Sequence, residues 1–566
     1  MRESVKTTDK RVIEAFVEAC FREGMRRVVC SPGSRNAPIV IALDAHPNIE
    51  TFVIHDERSA AFYALGMAEI SGEPVGVVCT SGSALLNYYP AVSEAYYRSI
   101  PLVVISADRS AEWVNHGDGQ TIVQENVYGA HIRFSGVIDE NDPLEQALES
   151  VQEGFKAAKF GWKGPIHFNV PLMEPLYGTA QRTSGNLEYT ISEESFPDLR
   201  ENWDNWKEIW ASAAKKMILV GQNNPTGRMK QLLEQLSGDP SVSVLVENTS
   251  NLVGHYWVHC IDRTLAGISD KNRESFEPEL LITLGGAVIS KRIKAFLRNA
   301  PVKHHWRVGK DFPEMDTYRH LSHSFEMNPV EFLEGIMPDE SAPATENFGG
   351  RWKQLDYRIK DRLAEFLNEI PFSDLMVFRD LLGVLPENSF LHLANSSVVR
   401  YAQLFDPTAS VRYFSNRGTS GIDGSLSTAA GIAMLSKNHL NVMVTGDISF
   451  FYDSNALWSR YLEENLRIVL INNSGGGIFR IIEGSRKSEQ LQNYFEAHHD
   501  TSAEHLCRAF SVAYSQVDQS SNLESELIRL LDSSTKGPAL LEVKTPWEQN
   551  ASVLDSFFQN CAESKS

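Results

Sequence analysis

Short runs of uniformly apolar, β-branched residues, each followed by a helical pattern, constrain this chain more than any other feature. Arg27-Val-Val-Cys30, Phe52-Val-Ile54, Val75-Gly-Val-Val-Cys79 and Leu102-Val-Val-Ile105 do not alternate polar with apolar residues. A strand reads this way when helices cover both faces of a parallel sheet. Helical patterns occupy residues 59–70 and 84–97 between them. Thr8 is placed to cap a first helix that carries Val12, Ile13, Phe16, Val17 and Cys20 and stops at Gly24. The repeated alternation predicts an open, doubly wound α/β sheet.

The same alternation recurs twice more. Met217-Ile-Leu-Val220, Val244-Leu-Val246 and Leu280-Leu-Ile-Thr-Leu284 form a second set. Phe390-Leu-His-Leu393, Val442-Met-Val-Thr445, Ile468-Val-Leu-Ile471 and Ala539-Leu-Leu-Glu-Val543 form a third. A polar, Trp-containing stretch around 183–214 reads as a linker plus a helix. A Pro/Gly/Ser/Glu-rich stretch, 337–350, reads as a second boundary. The expectation is three α/β domains, each a doubly wound parallel sheet, spanning 1–182, 183–345 and 346–566. A chain of 566 residues has room for them at ~150 residues per domain.

Composition narrows the partners. Asp and Glu number 73 against 53 Lys and Arg, a formal net charge of −20. That charge disfavours nucleic acid and anionic membranes, so any anionic substrate must be met by a local cationic patch. The six cysteines are scattered without a CxxC pair, which excludes a zinc module and a disulfide scaffold and points to the cytoplasm. No run of ~18 apolar residues predicts a membrane span.

The chemistry concentrates in the third block. Gly446-Asp447 follows one apolar strand and Asn472-Asn473 follows the next. In open α/β sheets ligands bind at the carboxyl ends of strands. Asp447, Asn473 and a main-chain carbonyl from the run Gly475-Gly-Gly477, with Gly475 as the ligand, would together suit Mg²⁺, a hard cation usually completed by phosphate oxygens and water. The glycines Gly475-Gly-Gly477 also let backbone amides approach a diphosphate.

A GD pair followed roughly 25 residues later by NN resembles the thiamine-diphosphate enzymes. The resemblance implies a pyrimidine-binding domain (1–182), a central domain (183–345) and a diphosphate- and Mg²⁺-binding domain (346–566), with Mn²⁺ as an alternative metal. It also implies an early glutamate, which Asp56-Glu57-Arg58 supplies. Glu57 would be the catalytic residue, its carboxylate meeting the aminopyrimidine ring of the cofactor. Glu57 and Asp447 lie in different domains. In this superfamily they reach one cofactor from different subunits, so a homodimer or homotetramer is expected.

Further segments narrow the resemblance. Ser31-Pro-Gly-Ser-Arg35, Thr80-Ser-Gly82, Ser106-Ala-Asp-Arg109, Ser290-Lys-Arg292, Asn395-Ser-Ser-Val-Val-Arg400 and Ser415-Asn-Arg-Gly-Thr-Ser-Gly-Ile-Asp-Gly424 resemble the 2-succinyl-5-enolpyruvyl-6-hydroxy-3-cyclohexene-1-carboxylate synthases of menaquinone (vitamin K2) biosynthesis. That family implies decarboxylation of 2-oxoglutarate and addition of a succinyl carbanion equivalent to isochorismate. Both substrates are dicarboxylates, and arginine forks suit carboxylates. By resemblance, Ser34, Arg35, Arg109, Gln120, Lys291, Arg292, Ser396, Arg400 and Arg417 bind substrate. Phe479 and Ile482 form an apolar wall, while Ile422 and Ile478 contact the cofactor. Gly119 departs from the family, which has Asn before the glutamine. The alternative is another thiamine-diphosphate enzyme, such as an acetohydroxyacid synthase or a 2-oxo acid decarboxylase.

Overall fold

The computed structural model describes residues 6–182, 187–193, 203–338, 346–481 and 483–562. Its contacts divide the chain into two units. One comprises Met1–Pro197, Gly418–Asn438 and Tyr452–Glu463; the other comprises Asp198–Arg417, His439–Phe451 and Glu464–Ser566.

The first unit holds a six-stranded sheet in the order Glu50–Val53, Arg27–Cys30, Val75–Cys79, Leu102–Arg109, Ile166–Leu172, Phe134–Val137, with every pairing parallel. The four strand segments read from sequence lie in it, except that Ile54 falls just past the end of Glu50–Val53. Val28, Val29, Val77, Val78, Val103 and Val104 are fully buried, as two helical layers require. Chain order reverses between Arg27–Cys30 and Val75–Cys79. That switch point opens a crevice for the loops Ser31–Arg35 and Thr80–Gly82.

Thr8 is not a helix cap. It ends the strand Lys6–Thr8, paired with Thr179–Gln181, and the helix Arg11–Arg22 starts after Lys10 without a side-chain cap. The sheet pairing holds the Thr8 backbone too early to reach the first helical amides. The helix expected over 84–97 is divided into Ala84–Asn87 and Tyr89–Tyr97. Pro90, which has no N–H and crowds the carbonyl four residues back, falls at that division.

In the first unit the helix Glu57–Ser71 packs on the helix Ser425–Leu435, far along the sequence. The approach is backbone to backbone. A Cβ on Gly66 would lie 2.2 Å from the Thr428 carbonyl oxygen, and one on Gly431 would lie 2.2 Å from that of Tyr63. Only glycine fits at either crossing.

The second unit holds two sheets. One runs Val242–Val246, Lys216–Val220, Leu280–Leu284, His304–Val308, Leu321–Phe325, all parallel. The other runs Arg412–Phe414, Phe390–Leu393, Asn441–Gly446, Leu466–Asn472, Ala539–Lys544, Ala513–Val517, also all parallel. Its chain-order pattern repeats that of the first unit's six-stranded sheet. The chain thus carries three parallel sheets flanked by helices. Of the two boundary stretches, 183–186, 194–202 and 339–345 lie outside the described residues; the helix expected after the first is Trp203–Ser212.

Candidate active site

The first unit gathers three loops at its switch point. A Cβ on Gly33 would meet Thr80 Cβ at 2.3 Å, and one on Gly82 would meet Gln120 Cα at 3.2 Å. Ser34 and Gln120 are exposed there. Arg35 is buried; its guanidinium donates to the Leu172 carbonyl at 3.2 Å and pairs with Glu174 at 3.1 Å. Arg109 ends its strand and pairs with Asp118 at 2.7 Å, which ties it to the loop carrying Gln120. At Gly119 an added Cβ meets nothing within 4 Å, so neither space nor backbone demands glycine there.

Sequence reading missed the residue that holds these loops. Gln124 is buried; its Oε1 accepts from the Gly82 amide at 2.9 Å, and its Nε2 donates to the Ala107 carbonyl at 3.1 Å and Asn169 Oδ1 at 2.8 Å. A lone loop glutamine carries no pattern that could have marked it. Glu57 opens the helix Glu57–Ser71, while Asp56 caps it by accepting from Ser59 at 3.2 Å. Asp56 also accepts from Asn455 at 2.6 Å. Glu57 has no hydrogen bond or ion pair to another side chain among the described residues, and burial raises its pKa, with the nearby Asp56 charge adding to the rise. A partly desolvated carboxyl met only by its own backbone amide is poised to share a proton with a bound base. Ile422 is half-buried in the same unit, on a segment anchored where the amides of Gly418 and Thr419 donate to Glu94 at 2.8 and 2.7 Å.

In the second unit Asp447 and Asn473 directly follow neighbouring strands, Asn441–Gly446 and Leu466–Asn472. Asp447 is buried and accepts from its neighbour Ile448 at 2.7 Å and from the Gly475 amide at 2.8 Å. His499 Nε2 lies 3.4 Å from Asp447; that contact raises the His499 pKa. The two asparagines differ sharply. Asn472 is fully used: its Nδ2 donates to the Thr501 carbonyl at 2.9 Å and Glu542 at 2.6 Å, and its Oδ1 accepts from Ser474. Asn473 donates through Nδ2 to Asp374 at 2.9 Å, and its buried Oδ1 has no hydrogen-bond partner. An orphaned acceptor and a buried carboxylate just past the ends of neighbouring strands are the kind of donors that a hard cation satisfies. Gly475 has φ +149°, and a Cβ there would lie 2.5 Å from the Glu496 carbonyl oxygen. Ile478 and Phe479 follow, half-buried, with the Phe479 ring centroid 5.7 Å from that of Phe495. Ile482 lies outside the described residues.

Cations collect at strand ends of the second unit. Arg417 is buried and donates to Asn395 Oδ1, while Asn395 Nδ2 donates to the Asn416 carbonyl at 2.7 Å. Ser396 takes φ +69°, and its carbonyl accepts from Arg400. Burial lowers the Arg400 pKa against the opposing charge of Asp262. Lys291 and Arg292 are exposed at the start of the helix Lys291–Arg298, and Arg292 sits 4.1 Å over the Phe558 ring. Their loop is pinned by Glu247, which accepts from the amides of Ile289 and Ser290 at 2.7 and 2.8 Å. Asp262 takes the Ser290 hydroxyl and feels the charges of Arg292 and Arg400. Burial pushes the Glu247 carboxyl up to about 7, with Arg417 pulling the other way. Lys294, also missed from sequence, lies in the fields of Glu247, Arg417 and Arg400.

Three family models match in order. They are the N-terminal thiamine pyrophosphate binding domain of thiamine pyrophosphate enzymes over residues 10–127, their middle domain over 180–393 and their C-terminal binding domain over 395–543. Among curated relatives, the 2-succinyl-5-enolpyruvyl-6-hydroxy-3-cyclohexene-1-carboxylate synthase of Flavobacterium johnsoniae is 43% identical over 548 residues, 96% of this chain and 98% of the relative. The synthase of the same name from Flavobacterium psychrophilum is 42% identical over 552 residues, covering 97% and 98%. That of Porphyromonas gingivalis is 36% identical over 566 residues, covering 97% of each. With the three models matched in order and relatives aligned over nearly their whole length, the chain belongs to the 2-succinyl-5-enolpyruvyl-6-hydroxy-3-cyclohexene-1-carboxylate synthase family of thiamine-diphosphate-dependent enzymes.

Proposed function

We propose that the chain decarboxylates 2-oxoglutarate and adds the resulting succinyl carbanion equivalent to isochorismate. The products are 2-succinyl-5-enolpyruvyl-6-hydroxy-3-cyclohexene-1-carboxylate and CO₂, in menaquinone biosynthesis. The observation that carries this reading is that Arg400, in the helix Ser397–Ala402 after the strand Phe390–Leu393, and Arg417, just past the strand Arg412–Phe414, both act on Lys294 in a chain of net charge −20. Such a chain must concentrate cations to receive two dicarboxylates.

Thiamine diphosphate, when bound, supplies the nucleophilic carbon and the electron sink for loss of CO₂. Glu57 holds a proton at its carboxyl oxygen against the cofactor's pyrimidine nitrogen, a task its raised pKa supports. Asp447, the unpaired Oδ1 of Asn473 and the Gly475 carbonyl would hold Mg²⁺. The glycine amides expected to approach a diphosphate are already engaged: Gly475 donates to Asp447 at 2.8 Å, Gly476 to the Glu496 carbonyl at 2.7 Å and Gly477 to the Gly475 carbonyl at 2.9 Å. Ile422 and Ile478 pack on the cofactor. Ser34, Arg35, Arg109 and Gln120 in the first unit, and Lys291, Arg292, Ser396, Arg400, Arg417 and Phe479 in the second, would bind and orient the substrates. The reading includes a cytoplasmic homodimer or homotetramer with domains 1–182, 183–345 and 346–566. Among the described residues no helix is long and apolar enough to cross a membrane.

The test is incubation of the protein with thiamine diphosphate, Mg²⁺, 2-oxoglutarate and isochorismate, with the product identified by mass. Pyruvate replaces 2-oxoglutarate in the second arm. A site built around a distal carboxylate discriminates strongly against pyruvate, because its cations are then left unpaired. Equal efficiency with pyruvate would move the assignment to an acetohydroxyacid-type reaction.

A further inference from the structure

Asn473 could in principle turn either end of its amide toward a ligand, and one buried side chain decides which. Asp374 opens the helix Asp374–Val384 and lies 99 residues before Asn473 in the chain. It is buried, and three side chains donate to its carboxylate. Oδ1 accepts from Thr545 at 2.6 Å and Asn550 at 2.9 Å, and Oδ2 accepts from Asn473 Nδ2 at 2.9 Å. Its own amide donates to Asn550 Oδ1 at 2.8 Å, so Asn550 clamps it from both ends.

An ionised carboxylate is an acceptor only. It can be met by the NH₂ of an asparagine and not by the carbonyl. With Asp374 fixed by Thr545 and Asn550, Asn473 must spend its NH₂ on Oδ2, and its carbonyl oxygen is left facing the other way. That oxygen is the buried atom without a partner. Asn472, one residue earlier, shows the contrast: both ends of its amide are consumed inside the fold.

We propose that Asp374 is a positioning residue for the metal centre, holding Asn473 in the single amide orientation that presents Oδ1 to Mg²⁺. The inference rests on the reading that Asn473 is a metal ligand. Asp374 does not touch the ion; it removes the alternative rotamer and so the cost of choosing between the two. Partners of metal ligands in this role are typically worth 10–100-fold in metal affinity.

The experiment titrates Mg²⁺ into the full-length protein at saturating thiamine diphosphate, pH 8, with binding read by calorimetry rather than by turnover. Asp374→Asn puts an NH₂ among three donors, and the Mg²⁺ half-saturation should rise at least tenfold. Thr545→Val removes a shorter bond to Asp374, 2.6 Å against 2.9 Å, but leaves the Asn473 contact; it should stay within about threefold of wild type. Asn473→Ala tests the underlying reading. If Asn473→Ala binds Mg²⁺ normally, Asn473 is no ligand and both ideas fall. If Asn473→Ala weakens binding and Asp374→Asn does not, the ligand reading stands and the positioning role is overturned. If Thr545→Val shifts Mg²⁺ binding as far as Asp374→Asn, the effect is general loosening and the proposal is wrong. Should Asp374→Asn not fold, Asn473→Asp decides. A carboxylate at 473 is repelled by Asp374, so Mg²⁺ binding should weaken despite the added charge; binding as tight as wild type would overturn the proposal.

Discussion

The amide of Gly475 donates to the Asp447 carboxylate at 2.8 Å, joining the ends of two neighbouring parallel strands. The bond needs the glycine backbone as well as the acid. At φ +149°, with the Glu496 carbonyl 2.5 Å from a would-be Cβ, no other residue brings that amide there without displacement. Asp447→Ala removes the acceptor and, on the proposed reading, a charged metal ligand. Thiamine diphosphate titrated at fixed Mg²⁺ should show at least a tenfold rise in Kd. Unchanged affinity would reduce Asp447 to a strand-ending turn residue.

Glu57→Gln keeps the size of the side chain and loses the titrating proton. Cofactor affinity should hold while exchange of the cofactor's C2 hydrogen for deuterium slows 10²–10⁴-fold. Wild-type exchange in the variant would remove Glu57 from the chemistry.

Arg400→Ala and Arg417→Ala, made singly, should retain thiamine diphosphate and lose kcat/KM for the dicarboxylate pair. A charge-assisted contact in a partly dry site is worth ~1.5–3 kcal/mol, so the loss is about 10- to 150-fold. Steady-state kinetics with each substrate varied separates the two carboxylates.

Glu247 carries a pH signature. Its folded pKa of about 7 lies above the ordinary 4.5, so the folded chain binds the extra proton between those values. This group therefore contributes stability that falls as pH rises through that window, by no more than ~3 kcal/mol. Glu247→Gln should flatten the pH 5–7 dependence of the urea midpoint by one proton's worth. It should also lower stability by ~1–3 kcal/mol at the left-over Ser290 or Ile289 amide. A pH dependence identical to wild type would contradict the assignment.

Gly431→Ala tests the packing of the two helices in the first unit. The new methyl lies 2.2 Å from the Tyr63 carbonyl oxygen, backbone that cannot swing aside. A loss of about 1–3 kcal/mol, seen as a lowered Tm, is expected.

Several strands were legible to the residue. Arg27–Cys30, Val75–Cys79, Leu280–Leu284 and Phe390–Leu393 have the ends their apolar runs suggested. A strand buried on both faces writes its burial into every side chain, so residue type alone carries the signal. Leu102–Arg109 ran four residues further than read, because Ser106 and Asp108 are polar yet buried. Ser106 donates to Asn169 Oδ1 at 2.9 Å, and Asn169 Nδ2 donates to Asp108 at 2.8 Å, partners that no local pattern announces. Thr8 misled for the opposite reason: its local chemistry favoured a cap, and a strand pairing more than 170 residues away overrode it.

By itself the sequence determined the class of fold, the three α/β blocks and the family motifs. Each of these is written in neighbouring residues: runs of branched apolar side chains, Gly-Asp and Asn-Asn behind strands, arginines after them. Only the tertiary structure decided the order of strands in each sheet. It alone joined Gln124 to Gly82 and seated the helix Ser425–Leu435 against Glu57–Ser71. It alone turned Asn473 toward Asp374. Those outcomes depend on contacts between distant residues, where a hydrogen bond is satisfied or a Cβ excluded by a partner that local sequence does not specify.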